Sequence, residues 1–120
     1  MTEIQRIGNV FYVVEDMDAA VAFYGDTLGL PLKFRDGDRW ATFDVAGATL
    51  ALATSEEAGG AQPGSGAVVS LRVADAQSWA RDAAARGVEL GPVETRSHER
   101  RIRLTDPDGN RLVVYSPPAS

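Results

Sequence analysis

The chain has no cysteine and one histidine, His98. Disulfides, thiolate metal sites and cysteine nucleophiles are therefore excluded. The side chains left for chemistry fall in a few places. The run RSHERRIRL at 96–104 carries Arg101 and Arg103, which either form a solvated strand edge or point at an anionic or carbonyl group of a ligand. Trp40 either packs within a core or stacks on a ligand, and Phe34 is open between the same roles. Asp36, Asp38 and Asp44 gather around Trp40 and either solubilise the chain or attract a cationic ligand. His98 reads as a solvent-exposed loop or strand-edge residue. Trp79, at core spacing on a helix, reads as a packing or dimer contact.

The elements that position these groups occur twice. With a shift of 59 residues, Val10, Tyr12, Val14, Asp16 and Ala22 fall on Val69, Leu71, Val73, Asp75 and Arg81, and all but the last keep their type. Each copy reads as a strand, an Asp that caps a helix, then the helix. In the first copy, a strand over 7–14 precedes a helix with apolar residues at Met17, Ala20, Val21, Tyr24 and Leu28, stopped at Gly29. Strands over 31–36, 39–45 and 48–54 follow, with turns at Asp36-Gly37 and Ala46-Gly47. In the second, a strand over 67–73 precedes a helix with apolar residues at Ala76, Trp79, Ala80, Ala83 and Ala84, ending at Arg86-Gly87. Strands over 88–94, 99–105 and 110–116 complete it, before the Pro-rich tail SPPAS. The Gly-rich stretch 56–66 reads as the linker. The expectation is a single α+β domain over 1–120, built of two βαβββ modules at about 5–55 and 67–117, which together form a half-open barrel with a cleft.

Bulk composition narrows the partners. With 120 residues and 44% hydrophobic content, the chain is long enough for one domain with a real core. Its net charge of −5 argues against nucleic acid and anionic membrane surfaces. No signal peptide is visible in the first 25 residues and no apolar run approaches about 18 residues, so a cytoplasmic location is expected.

Residues 106–110, DPDGN, form a turn motif: Asp leads, Pro presets φ, and Gly supplies a conformation that other residues avoid. Together with VxDxxxAxxFY at 14–24, LGLPL at 28–32 and the repeat, this motif makes the chain resemble the vicinal oxygen chelate superfamily over about residues 5–117. That group holds glyoxalase I, extradiol dioxygenases, fosfomycin-resistance transferases and bleomycin-resistance-type drug-binding proteins. In its metal-dependent members, four cavity-facing strand positions supply the ligands. The resemblance places them here at Asn9, Ala51, Val68 and Val113. Where those enzymes carry His, Gln or Glu at most of these positions, this chain carries one amide and three side chains without lone pairs. The resemblance thus points to the metal-free binding branch, with no cofactor.

Strand alternation extends that frame. If Asn9 faces the cavity, so do Phe11 and Val13; with Ala51 come Thr49 and Ala53. Trp40, Thr42 and Asp44 follow on the third strand, leaving Ala41, Phe43 and Val45 for the core. In the second module, Val68 brings Ser70 and Arg72, and Val113 brings Arg111 and Tyr115. Arg101, Arg103 and Thr105 follow, with Ile102 and Leu104 buried. The expected ligand-binding set is Asn9, Phe11, Phe34, Trp40, Thr42, Ala51, Val68, Ser70, Arg72, Arg101, Arg103, Val113 and Tyr115, with no catalytic residue. Such a wall suits a flat, partly polar aromatic molecule. The resemblance implies a small-molecule binding protein that sequesters an aromatic antibiotic and confers self-resistance, acting as a homodimer whose modules either swap or do not. The alternatives are a metal-independent lyase or isomerase, with Asp44 as its best base, and a diverged glyoxalase or dioxygenase.

Overall fold

The computed structural model describes residues 4–64 and 66–118. Ser65, inside the expected linker, and the last two residues of the tail lie outside the described residues. The chain divides into two compact units, Met1–Gln62 and Pro63–Ser120.

The first unit runs β1 (Val10–Val13), α1 (Met17–Val21), a π-helical segment (Ala22–Thr27), β2 (Leu32–Asp36), β3 (Trp40–Val45) and β4 (Ala48–Ala53). Its sheet has the order β1-β4-β3-β2. β1 lies parallel to β4, because the helix carries the chain across to β2 at the far edge and two antiparallel pairings return it to β4 beside β1. Asp16 caps α1 by accepting from Ala19 N at 3.1 Å. The helix departs from the expected α spacing. Leu28 N donates to Phe23 O at 2.9 Å, a five-residue reach. This wider turn aims Tyr24 inward, fully buried, with ring centroids 6.3 Å from Tyr12 and 6.0 Å from Phe43. Tyr12, Val14, Met17, Ala20, Tyr24, Ala41, Phe43 and Leu52 form the buried layer between helix and sheet. The hairpin at Ala46-Gly47 has positive φ at both residues, 52° and 93°, as a type I′ turn requires.

The second unit repeats this plan with β5 (Val69–Arg72), α2 (Ala76–Ala85), β6 (Glu94–Thr95), β7 (Arg100–Thr105) and β8 (Arg111–Ser116), in the order β5-β8-β7-β6. Asp75 caps α2 through Gln77 N, and the buried Ser116 Oγ accepts from Ala76 N at 2.9 Å, tying the end of β8 to the start of the helix. Ala76 and Ala83 are buried, but Ala84 faces out, so the apolar stripe of α2 is narrower than its composition suggests. The fold is thus α+β, two βαβββ units each built on an open four-stranded sheet.

The strand expected over 88–94 exists only as Glu94–Thr95. Gly91 N does bond Arg103 O at 3.0 Å, so this stretch follows the edge of β7. Pro92, lacking an N–H, cannot continue the ladder. The expected linker is also less loose than its glycines imply. Ala58 N bonds Thr54 O, and Gly60 N bonds Ser55 O at 2.8 Å.

The DPDGN turn does more than reverse the chain. Asp106 Oδ1 accepts from the backbone N–H groups of Asp108 and Asn110, and Asp106 Oδ2 accepts from Asn110 Nδ2, each at 2.9 Å. Asn110 Oδ1 then accepts from Gly64 N at 2.8 Å, anchoring the end of the linker. Asn110 and Asp106 are only 2% and 4% exposed, so removing either side chain strands buried polar groups. Asn110→Ala is therefore expected to lower the unfolding free energy by about 1–3 kcal/mol, read as a lower urea midpoint at unchanged slope.

Candidate functional site

Register decides which side chains share a face. Across the first sheet Phe11, Ala51 and Thr42 lie in one row, and Val13, Ala53 and Trp40 in the next. All six turn away from the buried layer that holds Tyr12, Leu52 and Ala41. A β-bulge settles Phe34. Leu32 pairs with Phe43 but Phe34 pairs with Thr42, so the extra residue swings Phe34 onto the outer face. Phe34 is 56% exposed and Phe11 43%.

Phe11 on β1 and Trp40 on β3 stand on either side of β4, roughly 10 Å apart by strand spacing. Their rings nevertheless meet, with centroids 5.7 Å apart and planes tilted by 59°. They can meet because β4 presents only alanine methyls between them. Ala51 and Ala53 are fully buried, forming the floor under the rings. Asn9 precedes β1 and is exposed.

The acidic residues near β3 are occupied. Asp36 bonds Arg39, Asp38 and Asp18 both pair with Arg35, and Asp44 Oδ1 accepts from Gly47 N in the adjoining turn. This occupies them in turns and in the helix–sheet contact. It also leaves Asp44 tied to its hairpin, a poor position for a general base.

The outer face of the second sheet has a different character. Arg72, Tyr115 and Arg101 form one row, Ser70, Val113 and Arg103 the next, and Arg111 and Thr105 the third. A cavity of about 950 Å³ opens on this unit, lined by Val68, Arg101, Arg103, Thr105, Arg111 and Val113 and closed along one side by Glu89, Leu90 and Gly91. Ser70, Arg72 and Tyr115 share the face without lining that cavity. Reading the sequence for ladders missed the 89–91 wall, although the breakers Gly91 and Pro92 signal it. It also missed Glu94, whose Oε2 accepts from Arg103 Nε at 2.8 Å and whose Oε1 accepts from Arg96 at 2.9 Å. These guanidiniums, Arg96 first, hold the Glu94 carboxyl below its ordinary pKa. His98 is exposed in the loop before β7.

The two units also fix each other's correspondence. Phe11 pairs with Ala51 as Ser70 pairs with Val113, so Ala51 and Val113 are equivalent, as are Asn9 and Val68 one step before each strand. One amide and three aliphatic side chains do not make a donor set for a divalent metal. Among the described residues no group of three or more His, Cys, Asp or Glu stands close enough to hold a metal ion.

The sequence model of the "Glyoxalase/Bleomycin resistance protein/Dioxygenase superfamily" matches residues 6–114. The chain belongs to this superfamily. A protein of Mycolicibacterium smegmatis, described only as uncharacterized, is 42% identical over 105 residues, 86% of each chain. TnmS3, an antibiotic binding protein from Streptomyces sp. CB03234, has a similar structure, with TM-score 0.83 and 25% identity over 98% of this chain and 99% of its own. A lactoylglutathione lyase from Agrobacterium tumefaciens, at 21% identity, TM-score 0.79 and 95% coverage of both chains, shares the fold. No helix among the described residues is long and apolar enough to cross a membrane.

Two outcomes follow from this geometry. In a double-mutant cycle of Phe11→Leu and Trp40→Leu, a coupling of about 0.5–1.5 kcal/mol is expected from the ring pair, measured by urea unfolding. The contribution of Glu94 follows its lowered pKa. A carboxylate stabilised in the folded state contributes fully above its ordinary pKa and loses that contribution as pH falls through the depressed value. The difference in urea midpoint between wild type and Glu94→Gln should therefore be present at neutral pH, begin to shrink in the ordinary glutamate range and vanish below the depressed value.

Proposed function

We propose that this protein binds and sequesters a small aromatic molecule, of the antibiotic or natural-product kind, without a metal and without changing it. The observation that carries this reading is the outer face of the first sheet: Phe11 and Trp40 in contact over an alanine floor, with Phe34 and Thr42 beside them. Large rings left half-exposed on a sheet face offer a stacking surface for a planar ligand. The superfamily includes bleomycin resistance proteins, and TnmS3 is an antibiotic binding protein, which supports the same reading. The ligand-binding residues in this proposal are those expected from strand alternation, with Ala51 as floor. A homodimer belongs to the same proposal, since Ile4, Ile7, Val10 and Leu32 are exposed apolar residues of the first unit.

Trp40 and Trp79 are the two tryptophans, so emission reports on binding. Titration with bleomycin, mitomycin and anthraquinone-type compounds should give saturable quenching by at least one of them at one ligand per chain. Trp40→Ala should abolish it, and the ligand should be recovered with unchanged mass. Recovery of an altered molecule would instead establish an enzyme, and quenching that persists in Trp40→Ala would move the ligand away from this face.

A further inference from the structure

We propose that the outer face of the second sheet is an oxyanion site, which takes a small molecule that carries a carboxylate, sulfonate, phosphate or ionised enol or phenol. This rests on the reading that the sheet faces bind a small molecule, and adds the charge that a molecule held on the second sheet bears.

The position at issue is Val113. It occupies the strand site equivalent to Ala51, at the centre of β8, and offers no donor. Around it stand four guanidiniums. Arg111 is two residues before it on the same strand and Arg103 is directly opposite on β7. Arg72 and Arg101 flank Tyr115, two residues further along. Neighbouring strands lie about 4.8 Å apart and diagonal neighbours roughly 7–8 Å apart, well within the reach of an arginine side chain. The four positive charges therefore share a patch three strands wide, in a chain whose net charge is −5.

How the acids are spent distinguishes this patch from a solvated basic edge. In the first unit, Arg35 and Arg39 are paired with aspartates in the helix contact and the turn. On the second sheet, the acids stand beside the guanidiniums: Glu94 is the ladder partner of Arg101 and shares its face. Glu94 accepts from Arg103 Nε at 2.8 Å, whereas Glu99 Oε2, 2.9 Å from Arg101 Nε, makes an ion pair without a hydrogen bond at that nitrogen. Among the described residues, no hydrogen bond to a protein acceptor engages the terminal nitrogens of either side chain, and the Arg72 side chain has no hydrogen bond or ion pair. Clamped at Nε by Glu94, the Arg103 guanidinium keeps its terminal N–H pair oriented, the edge that takes two oxygens of one anion. Such clamping lowers the entropy lost on binding. The cavity of about 950 Å³ beside Arg101, Arg103 and Arg111 leaves room for the rest of the molecule. Glu89 is the acidic residue on its lining, so the favoured ligand carries its charge toward the arginines and away from that wall.

The test uses 1-naphthoate and its uncharged analogue 1-naphthamide, titrated calorimetrically at low salt into wild type and two double variants, Arg72→Gln/Arg111→Gln and Arg101→Gln/Arg103→Gln. Glutamine keeps most of each stem, and melting curves confirm folding. The expected result is naphthoate binding at least tenfold tighter than naphthamide, an advantage that shrinks with added salt and falls to threefold or less in at least one double variant. Equal affinity for the two probes in wild type overturns the oxyanion site while leaving aromatic binding standing. A naphthoate preference undiminished in both double variants also overturns it, by locating the charge recognition elsewhere. Binding of neither probe overturns both this inference and the reading on which it rests.

Discussion

Everything else in this molecule depends on the parallel pairing of the first and last strands of each unit. Val10–Val13 against Leu50–Ala53, and Val69–Arg72 against Leu112–Tyr115, set which residues look at the helix and which look away. A slip of one residue would turn every side chain over. Tyr12, Val14 and Leu52 in the first unit, and Leu112, Val114 and Ile102 in the second, are all but fully buried, and their loss to water would oppose any slip. The caps reinforce this. Asp16 and Asp75 start each helix just beyond its strand, and Ser116 ties the last strand to the second helix.

With register held, two chemically distinct outer faces follow from one plan. On the first sheet the middle strand offers alanines, so rings from the strands beside it can meet across the gap. On the second, the equivalent strand offers Arg111, Val113 and Tyr115, and bulk and charge stand upright there. Ala51 and Val113, equivalent positions of the two units, stand at the centres of these faces. The surroundings differ: aromatic rings in one unit, guanidiniums in the other.

Much of this was legible in the sequence because period-two alternation is a local property. The 59-residue shift, the Asp caps and the inward set Tyr12, Val14, Ala41, Phe43, Ile102 and Leu104 needed only pattern. What escaped were features created by non-local contact. The helical spacing placed Tyr24 inward but not the π-helical turn that carries it, nor its ring contacts with Tyr12 and Phe43. The bulge that turns Phe34 outward is a property of two paired strands. The Glu94 clamp on Arg103 joins residues that lie nine apart in sequence and sit diagonally on neighbouring strands, and neither alone reads as special. The short β6 shows the opposite failure, an apolar-looking stretch taken for a strand although Pro92 could not join the ladder.

The central claim is that the faces turned away from the helices hold a small aromatic molecule. Methyl-resolved NMR during a titration with 1-naphthoate tests it most directly, because ring-current shifts report which methyls lie under the ligand. The account predicts saturable shifts at Val13, Ala51, Ala53 or Val113, with Val14, Leu52, Ile102 and Val114 on the helix side unmoved. Shifts confined to the helix-side methyls, or none at saturating probe, would contradict it.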